Sequence, residues 1–248
     1  MSSKPLFLFV FLLAGCFAGA QLKITSIKQN ARKDWLSFSF PFVHGANKDV
    51  ARKINTYLQE DVLDNKTIET GPDKLFRQTR YINNDSIHQS GYSMINYKIV
   101  VNNTKLLSIE FEIESTGAYS TYYNQYYNFD SRTGEVVTLK DIISYRGRDS
   151  LSNFLEKERK KRISAFIKEN YEDSEDSTFI KETYAGCLKK GDVEKIFIKQ
   201  NSILFYKELC FPHVARPYDM NLDIVLNFSF LERCLTPNGK KLLPGKNW

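Results

Sequence analysis

The sequence of 248 residues has few histidines and cysteines, which are common metal ligands and catalytic side chains. Its three histidines, His44, His88 and His213, are far apart and lack metal-ligand spacing, and no C-x-x-C pair occurs. The motifs H-E-x-x-H, G-x-S-x-G and S-x-x-K and the phosphate-binding glycine loop are also missing. We therefore predict no metal, no other cofactor and no motif-based enzyme. Paired carboxylates remain open, because a glycosidase needs only two that meet in space.

Long apolar runs are also missing, with one exception at the amino terminus. Residues 6 to 13 form an uncharged apolar run behind Lys4, too short to span a bilayer but typical of a secretory signal. Two cleavage sites compete. Residues 13 to 16, "LAGC", resemble a lipobox that would place a lipid on Cys16, whereas "AGA" before Gln21 fits simple cleavage. We expect an exported protein, in the periplasm or on the outer membrane as a lipoprotein, that meets the membrane only through a lipid on Cys16.

Charge is weakly basic and dispersed. The formal net charge is +6, and it falls to +5 when Lys4 is removed with the signal. The one basic run, "KERKKR" at 157–162, lies on a predicted helix opposite an apolar stripe, which indicates a solvated helix face. An exported location and a dispersed charge both argue against a nucleic-acid partner.

Cysteine is scarce enough to allow at most one internal disulfide. Cleavage of the signal leaves Cys187, Cys210 and Cys234. The first two flank a predicted hairpin at 193–206, which would bring them together, so we predict the disulfide Cys187–Cys210. The alternative pair is Cys210–Cys234. Either pairing leaves a third cysteine without an assigned role.

The order of predicted elements indicates an α+β fold built on an antiparallel meander with two main packing helices. Strands are predicted in 24–43, 92–101, 106–115, the tyrosine run that follows, 135–139, the 193–206 hairpin and 222–231. One helix is predicted from Asn47 to about Leu63, and a longer one is predicted to begin at a cap on Asp149 or Ser150. We divide the chain into a signal (1–20), an N-terminal strand-helix part (21–90) and a C-terminal α+β part (91–248), the last two sharing or abutting a sheet.

Residues 115–135, "STGAYSTYYNQYYNFDSRTGE", hold six tyrosine and phenylalanine rings. Two strand registers are open, and a slip by one residue exchanges the buried and exposed rows. A two-residue turn places Tyr122 and Tyr126 on the core face. One extra turn residue instead pairs Tyr123 and Tyr127 with Phe111 and Leu107 and continues the buried row into Phe129. We prefer the second register because its buried row is more apolar.

In the preferred register some of the rings are exposed beside carboxylates. Flat rings next to polar groups suit a sugar or a basic protein, so the predicted ligand-binding residues are Tyr119, Tyr122, Tyr126, Glu110 and Glu112. The competing interpretation is structural, because tyrosine is common in strands and cross-strand aromatic pairs contribute about 0.2–1 kcal/mol each.

Two stretches resemble a known family. These are "FPFVHGANKDVARKINTYLQE" and, most specifically, the N-F-D-x-x-T-G-x-x-x-T-L-x-D string from Asn128 to Asp141. Together they are similar to the paired uncharacterised modules of the RsiV-like family, over roughly residues 24–235. That family includes the extracellular part of a lysozyme-sensing bacterial anti-sigma factor and the non-catalytic region ahead of a peptidoglycan deacetylase. The resemblance implies an exported α+β module.

Departures from the family pattern limit what the resemblance implies about function. Members often carry a Gly-Gly-Ala-His-like turn, whereas this chain has Thr116-Gly117-Ala118-Tyr119, so no role of that histidine carries over. Without a spanning helix or a deacetylase domain, we expect a free-standing, non-catalytic binding or sensor-like module of the bacterial envelope. Its partner would be an envelope glycan or an envelope protein. Because the chain is basic, we rank anionic peptidoglycan above a basic hydrolase such as lysozyme; the alternative is an enzyme acting on cell-wall glycan.

Overall fold

The computed structural model describes residues 21–30, 37–45, 47–76, 91–116, 120–172, 174–188 and 195–244. The signal, the lipid site Cys16 and the predicted ligand residue Tyr119 lie outside these ranges, so those predictions remain predictions. Among the described residues, no helix combines the length and apolar composition that a membrane span requires.

The chain forms eight strands and seven α-helices within the described residues. The strands are β1 (Lys23–Asn30), β2 (Ser37–His44), β3 (Gly91–Asn102), β4 (Leu106–Thr116), β5 (Ser120–Asp130), β6 (Ile196–Ile198), β7 (Ser202–Phe205) and β8 (Ile224–Asn227). The helices are α1 (Lys48–Leu63), α2 (Pro72–Leu75), α3 (Leu139–Ile142), α4 (Tyr145–Tyr171), α5 (Ser177–Cys187), α6 (Phe228–Leu231) and α7 (Pro237–Leu242). Short 3-10 turns follow at His213–Tyr218 and Glu232–Cys234. The fold is α+β, as predicted.

The larger sheet has the order β1-β2-β3-β4-β5. Strands from before and after residue 90 therefore share one sheet. Its pairs are antiparallel except β2 and β3, which run parallel and pair over two residues at each strand. The long connection that contains α1 and α2 lets β3 return in the same direction as β2, and from β3 to β5 the strands form an antiparallel meander, as predicted.

Helix α1 packs on one face of this sheet. Its N-cap is Asn47, as predicted; the side-chain oxygen accepts from the backbone N–H of Asp49 at 3.0 Å and of Val50 at 3.4 Å. Val50, Ile54 and Leu58 recur at helical spacing and are buried against the sheet. We call this side of the sheet the inner face. Its core is lined by Phe40, Ile95, Ile109, Phe111 and Phe129, among others.

The smaller sheet, of order β6-β7-β8, packs with α4 around a second core. The prediction that α4 begins after Asp149 or Ser150 is wrong. The helix begins at Tyr145, and its N-cap Ser144 accepts from the N–H of Gly147 at 3.1 Å. The first turn holds no apolar stripe for a sequence pattern to detect. Gly147 is needed there because a Cβ would lie 2.8 Å from Cys234.

The solvated-face prediction for "KERKKR" is wrong for Arg159. This side chain is only 3% exposed, and it donates to the carbonyl oxygens of Leu222 and Phe205 at 3.1 and 3.2 Å. The guanidinium thus ties α4 to the ends of β7 and to the segment before β8. Lys157, Lys160, Lys161 and Arg162 are exposed, as the pattern indicated.

Two predicted strands are shorter than expected. Residues 135–139 make a single bridge, Phe129↔Val136, before Thr138 and Asp141 form a capping box and the chain turns into α3. The predicted four-strand meander therefore stops at three strands. Likewise the apolar run at 222–231 forms β8 and then α6, because Phe228 and Leu231 are buried on one side of a helical turn.

The predicted disulfide Cys187–Cys210 is confirmed, with Cα atoms 5.5 Å apart. It joins the end of α5 to the loop after β7 and borders a third, small core that contains Ile163, Ile167, Ile180, Tyr184, Phe211 and Leu222. Cys234 is a free thiol.

Candidate functional site

The register of β5 determines which rings are available to a ligand. The prediction that Tyr123, Tyr127 and Phe129 share the inner face is confirmed. Their partners differ from the predicted ones: Tyr127 lies opposite Ile109 and Tyr123 opposite Ile113. The strands are paired up to Thr116↔Ser120, so three residues join them, the length predicted for the preferred register. That length places each tyrosine opposite the residue two positions after its predicted partner in β4, which keeps the same faces.

The opposite, outer face of β4 and β5 carries the even-numbered residues. Glu110 lies opposite Tyr126, Glu112 opposite Asn124, and Glu114 opposite Tyr122. On the other side of β4, the same three glutamates lie opposite Lys98, Asn96 and Met94 of β3. Four predicted ligand residues, Tyr122, Tyr126, Glu110 and Glu112, therefore do share one face.

One half of the outer face is covered by the smaller sheet. Asn128 is buried; its amide donates to the carbonyl of Ile196, and its side-chain oxygen accepts from the N–H of Ile198, both at 2.9 Å. The ring of Tyr126 stacks on Phe197 at 4.7 Å between centroids and contacts Tyr206 at 4.8 Å. We call this region the covered half. Tyr126 is consequently half-buried and is not the exposed platform that we predicted.

The other half remains open, and we call it the open face: Met94, Asn96, Lys98, Glu110, Glu112, Glu114, Tyr122 and Asn124. Tyr122 is 62% exposed and is its only large ring. The amide of Asn124 donates to the carboxylate of Glu110 at 3.2 Å, and the hydroxyl of Tyr122 donates to Glu114. These bonds orient the ring and the amide while leaving carboxylate oxygens exposed to solvent. Three carboxylates against one lysine make the open face acidic.

Electrostatics separate the two tyrosines further. The hydrogen bond to Glu114, with a smaller contribution from that carboxylate's charge, raises the pKa of Tyr122. For Tyr126 burial is the main cause that raises the pKa. Both hydroxyls therefore keep their proton at physiological pH, and that of Tyr126 accepts a hydrogen bond from the amide of Asn124 at 3.2 Å.

A groove of about 1080 Å³ runs along the free edge of β5. On the inner side Tyr57 and Asp61 of α1 form one wall, and the hydroxyl of Tyr127 donates to Asp61 at 2.6 Å. On the outer side the wall is the segment from Tyr206 to Leu209, followed by residues 219–223. This volume lies at the upper end of the range for small-molecule pockets, and its lining follows β5 from Thr121 to Asn128, so it suits an extended chain.

Ionisable groups of both signs line the groove. Asp61, Asp219, Asp223 and Glu208 provide four carboxylates, and the cations are Lys195, Lys207 and Arg216. Lys195 is ion-paired with Glu208. Burial raises the pKa of Asp223, although nearby donors and cations oppose that shift. Burial also raises the pKa of Tyr206 to about 12.

Sequence reasoning did not identify the groove walls. Tyr57 is an exposed residue of α1, and Tyr206 comes directly after the end of β7, so no local pattern relates either ring to β5. An exposed tyrosine within a helical stripe and an aromatic just beyond a strand were the only signals. Across the described ranges, no group of three or more His, Cys, Asp or Glu side chains has a geometry that could hold a metal ion.

Two solved structures share this fold. One is a DUF3298 family member from Bacteroides fragilis, with a TM-score of 0.54 and 13% identity, covering 89% of this chain and 95% of the other. The second is a DUF3298 family protein from Pseudomonas aeruginosa, with a TM-score of 0.51 and 12% identity, covering 91% and 97%. No family model and no curated protein matches the sequence. The RsiV-like assignment stays a prediction, and the fold is that of DUF3298 proteins, a domain of uncharacterised function.

Proposed function

We propose that this protein is an exported, non-catalytic binding or sensor-like module of the bacterial envelope. The observation that carries the proposal is the open face with its adjoining groove: an exposed ring, oriented amides and unburied carboxylates beside an uncovered strand edge. Such a surface has the mixed aromatic and polar character of protein-recognition sites. Its tyrosines are protonated at neutral pH, and it presents no motif for covalent chemistry.

The local charge of the site changes the expected order of ligands. The whole chain is basic, and on that ground peptidoglycan ranked above lysozyme. The open face, however, carries Glu110, Glu112 and Glu114 against Lys98 alone. At physiological ionic strength, dissolved salt screens the interaction between charges more than about 8–10 Å apart. A ligand therefore responds to this local surface more than to the net charge of the chain. We therefore propose a basic envelope protein as the ligand, a cell-wall hydrolase such as lysozyme being the class that the family resemblance suggests.

Binding to immobilised hen lysozyme tests this proposal. The purified mature protein should be retained at about 0.15 M salt, where weak, non-specific ion pairing is largely screened. Cytochrome c, a basic protein of another class, serves as the control matrix and should retain less. Insoluble peptidoglycan is measured in parallel. Retention on peptidoglycan and not on lysozyme would mean that the ligand is peptidoglycan and not a basic protein. Retention on neither matrix would contradict the proposal.

Matched variants locate the contact. Glu112→Lys and Tyr122→Ala each change an exposed side chain of the open face, and each should weaken lysozyme binding by about tenfold or more. Glu169→Lys and Tyr145→Ala make the same changes at exposed positions of α4 and should leave binding unchanged. Equal losses in both sets would show that the open face is not the contact.

The groove favours one alternative function, an enzyme acting on cell-wall glycan. Asp223 has a raised pKa from burial, as a general acid requires, and Asp61 lines the same groove. Release of soluble fragments from purified peptidoglycan across a pH series would support this function. If Asp223→Asn no longer releases fragments, the activity belongs to the groove. If no fragments are released at any pH, this alternative function is excluded.

A further inference from the structure

The free edge of β5 is partly used by the chain itself. Strand β5 is the last strand of the larger sheet. At its end the N–H of Val137 donates to the carbonyl of Asn128 at 2.7 Å, and the N–H of Asp130 donates to the carbonyl of Glu135 at 2.9 Å. The backbone groups of residues 128 and 130 therefore point away from β4 and toward the next segment of chain.

The backbone groups of the other even-numbered residues of β5 point in the same direction. Pairing with β4 runs from Ser120 to Asp130 without a bulge, so backbone direction alternates regularly. The N–H and C=O groups of Tyr122, Asn124 and Tyr126 therefore also point away from β4. Among the described residues, no hydrogen bond to these backbone groups is present. They form a row of donors and acceptors spaced for another strand.

This edge lacks the usual protection against pairing. Exposed edges commonly carry lysine, proline or a bulge that prevents another strand from adding. From 121 to 129 the sequence is "TYYNQYYNF", without a charge or a proline. About 17 Å of strand, five residues at 3.4 Å each, is thus available from Tyr122 to Tyr126.

The walls of the groove favour a single strand as the occupant. On the inner side Tyr57 contacts Tyr127 at 6.1 Å between ring centroids, and on the outer side Tyr206 contacts Tyr126 at 4.8 Å. The edge is recessed between these two walls. A second copy presenting its own β5 would bring a second set of the carboxylates Glu110, Glu112 and Glu114 to the same place, whereas one extended segment with basic side chains would complement them.

Charge selects the side chains of that segment. A strand beside β5 directs alternate residues to the outer face, next to Tyr122 and Asn124. The carboxylates of Glu112 and Glu114 lie one strand further on, about 10 Å away at 4.8 Å per strand, within reach of a lysine or arginine. The other residues turn to the inner face beside Tyr57 and Tyr127, where apolar groups suit the rings.

We propose that the β5 edge binds an extended polypeptide segment with basic residues at alternate positions, which adds as a sixth strand to the larger sheet. Strand addition supplies affinity through backbone bonds, and the alternate side chains supply specificity. The inference deepens the proposed function, because it says how a basic protein partner would engage the site, and it rests on that function only for the partner's identity.

The first test uses a peptide and needs no variant. A capped octapeptide of alternating valine and lysine is added to the ¹⁵N-labelled protein at up to about 1 mM, a concentration that detects binding of about −4 kcal/mol. Amide exchange should slow at Tyr122, Asn124 and Tyr126. A peptide of alternating valine and glutamate should have little effect. Unchanged exchange at these three amides, or slowing elsewhere only, would overturn the inference.

The second test removes one outward donor. Asn124→Pro deletes an N–H that points away from β4, a position where an edge strand tolerates proline. Asn124→Ala removes the same side chain and keeps the N–H, so the difference between the two isolates the backbone. Proline should weaken peptide and lysozyme binding by about tenfold relative to alanine, the equivalent of one hydrogen bond of about 1.4 kcal/mol.

The outcomes separate the inference from the proposed function. Lysozyme binding that depends on Glu112 but is equal in Asn124→Pro and Asn124→Ala would overturn the edge inference and leave the function standing. Peptide binding at the edge without any lysozyme binding would support the inference and contradict the function. Concentration-dependent self-association that Asn124→Pro abolishes would show a second copy on the edge and would overturn the inference.

Discussion

The two halves of the outer face of β5 contain the same residue types in opposite roles. Tyr126 and Asn128 in the covered half contact the smaller sheet through a stacked ring and a buried amide. Tyr122 and Asn124, four residues earlier in the strand, contact neighbouring side chains of their own sheet. The aromatic run therefore holds the two sheets together at one end and presents an exposed surface at the other.

The largest difference in stability is expected between variants of Asn128 in the covered half and Asn124 in the open face. Asn128→Ala removes bonds to Ser108, Ile196 and Ile198 and leaves buried groups unpaired, so it should lower the free energy of unfolding by about 3 kcal/mol. Asn124→Ala, at an exposed position, should change it by less than about 0.5 kcal/mol. Urea denaturation measures both. Equal effects would mean that the smaller sheet does not depend on Asn128.

The disulfide stabilises the C-terminal region beside the covered half, and it lies away from the open face. Replacing Cys187 and Cys210 with alanine opens a loop with a sequence separation of 23 residues and should lower stability by about 3 kcal/mol. Lysozyme binding at a temperature where the variant remains folded should be unchanged. A loss of binding comparable to that of Tyr122→Ala would extend the contact surface to the α5 region.

Replacing the two tyrosines should show the same contrast as replacing the two asparagines, with the larger loss of stability in the covered half. Tyr126→Ala removes a ring that stacks on Phe197 and contacts Tyr206, and it should cost about 2 kcal/mol of stability. Tyr122→Ala should cost less than about 0.5 kcal/mol while weakening binding. Thermal unfolding followed by circular dichroism compares the two variants. A stable Tyr126→Ala protein that loses binding would reverse the assigned roles.

The smallest effect concerns alkaline pH. The pKa of Tyr206 rises from 10.0 to about 12 on folding because the ring is buried, so the folded state keeps a proton that the unfolded state loses. Stability should be independent of this group below pH 10 and should fall between about pH 10 and 12. The fall should be shallower in Tyr206→Phe. Denaturation midpoints across this range measure it, and identical slopes in both proteins would contradict the buried environment of Tyr206.

The sequence predicted what depends on local pattern. Helix α1 with its Asn47 cap, the inner row of Tyr123, Tyr127 and Phe129, and the disulfide all follow from periodicity, capping chemistry or a hairpin that brings its flanks together. A binary pattern also showed that Glu110 and Glu112 lie on the outer face.

The features that the sequence did not predict depend on contacts between residues that are far apart in the chain. The burial of Arg159 is set by carbonyls more than 40 residues away, at Phe205 and Leu222. The cover over Tyr126 comes from Phe197 and Tyr206, which no local pattern connects with β5. The net charge of the chain suggested an anionic ligand, and only the assembled sheet shows that Lys98 is the one cation of the open face beside its three glutamates.

Hydrogen exchange measured by mass spectrometry, with and without saturating lysozyme, tests the central claim most directly. Exchange should become slower in the segments of β4 and β5 that contain Glu112, Glu114, Tyr122 and Asn124, with no change in α4 or α5. Protection confined to α4 and α5, or no protection in β4 and β5 while lysozyme is bound, would contradict the claim that the open face is the binding site.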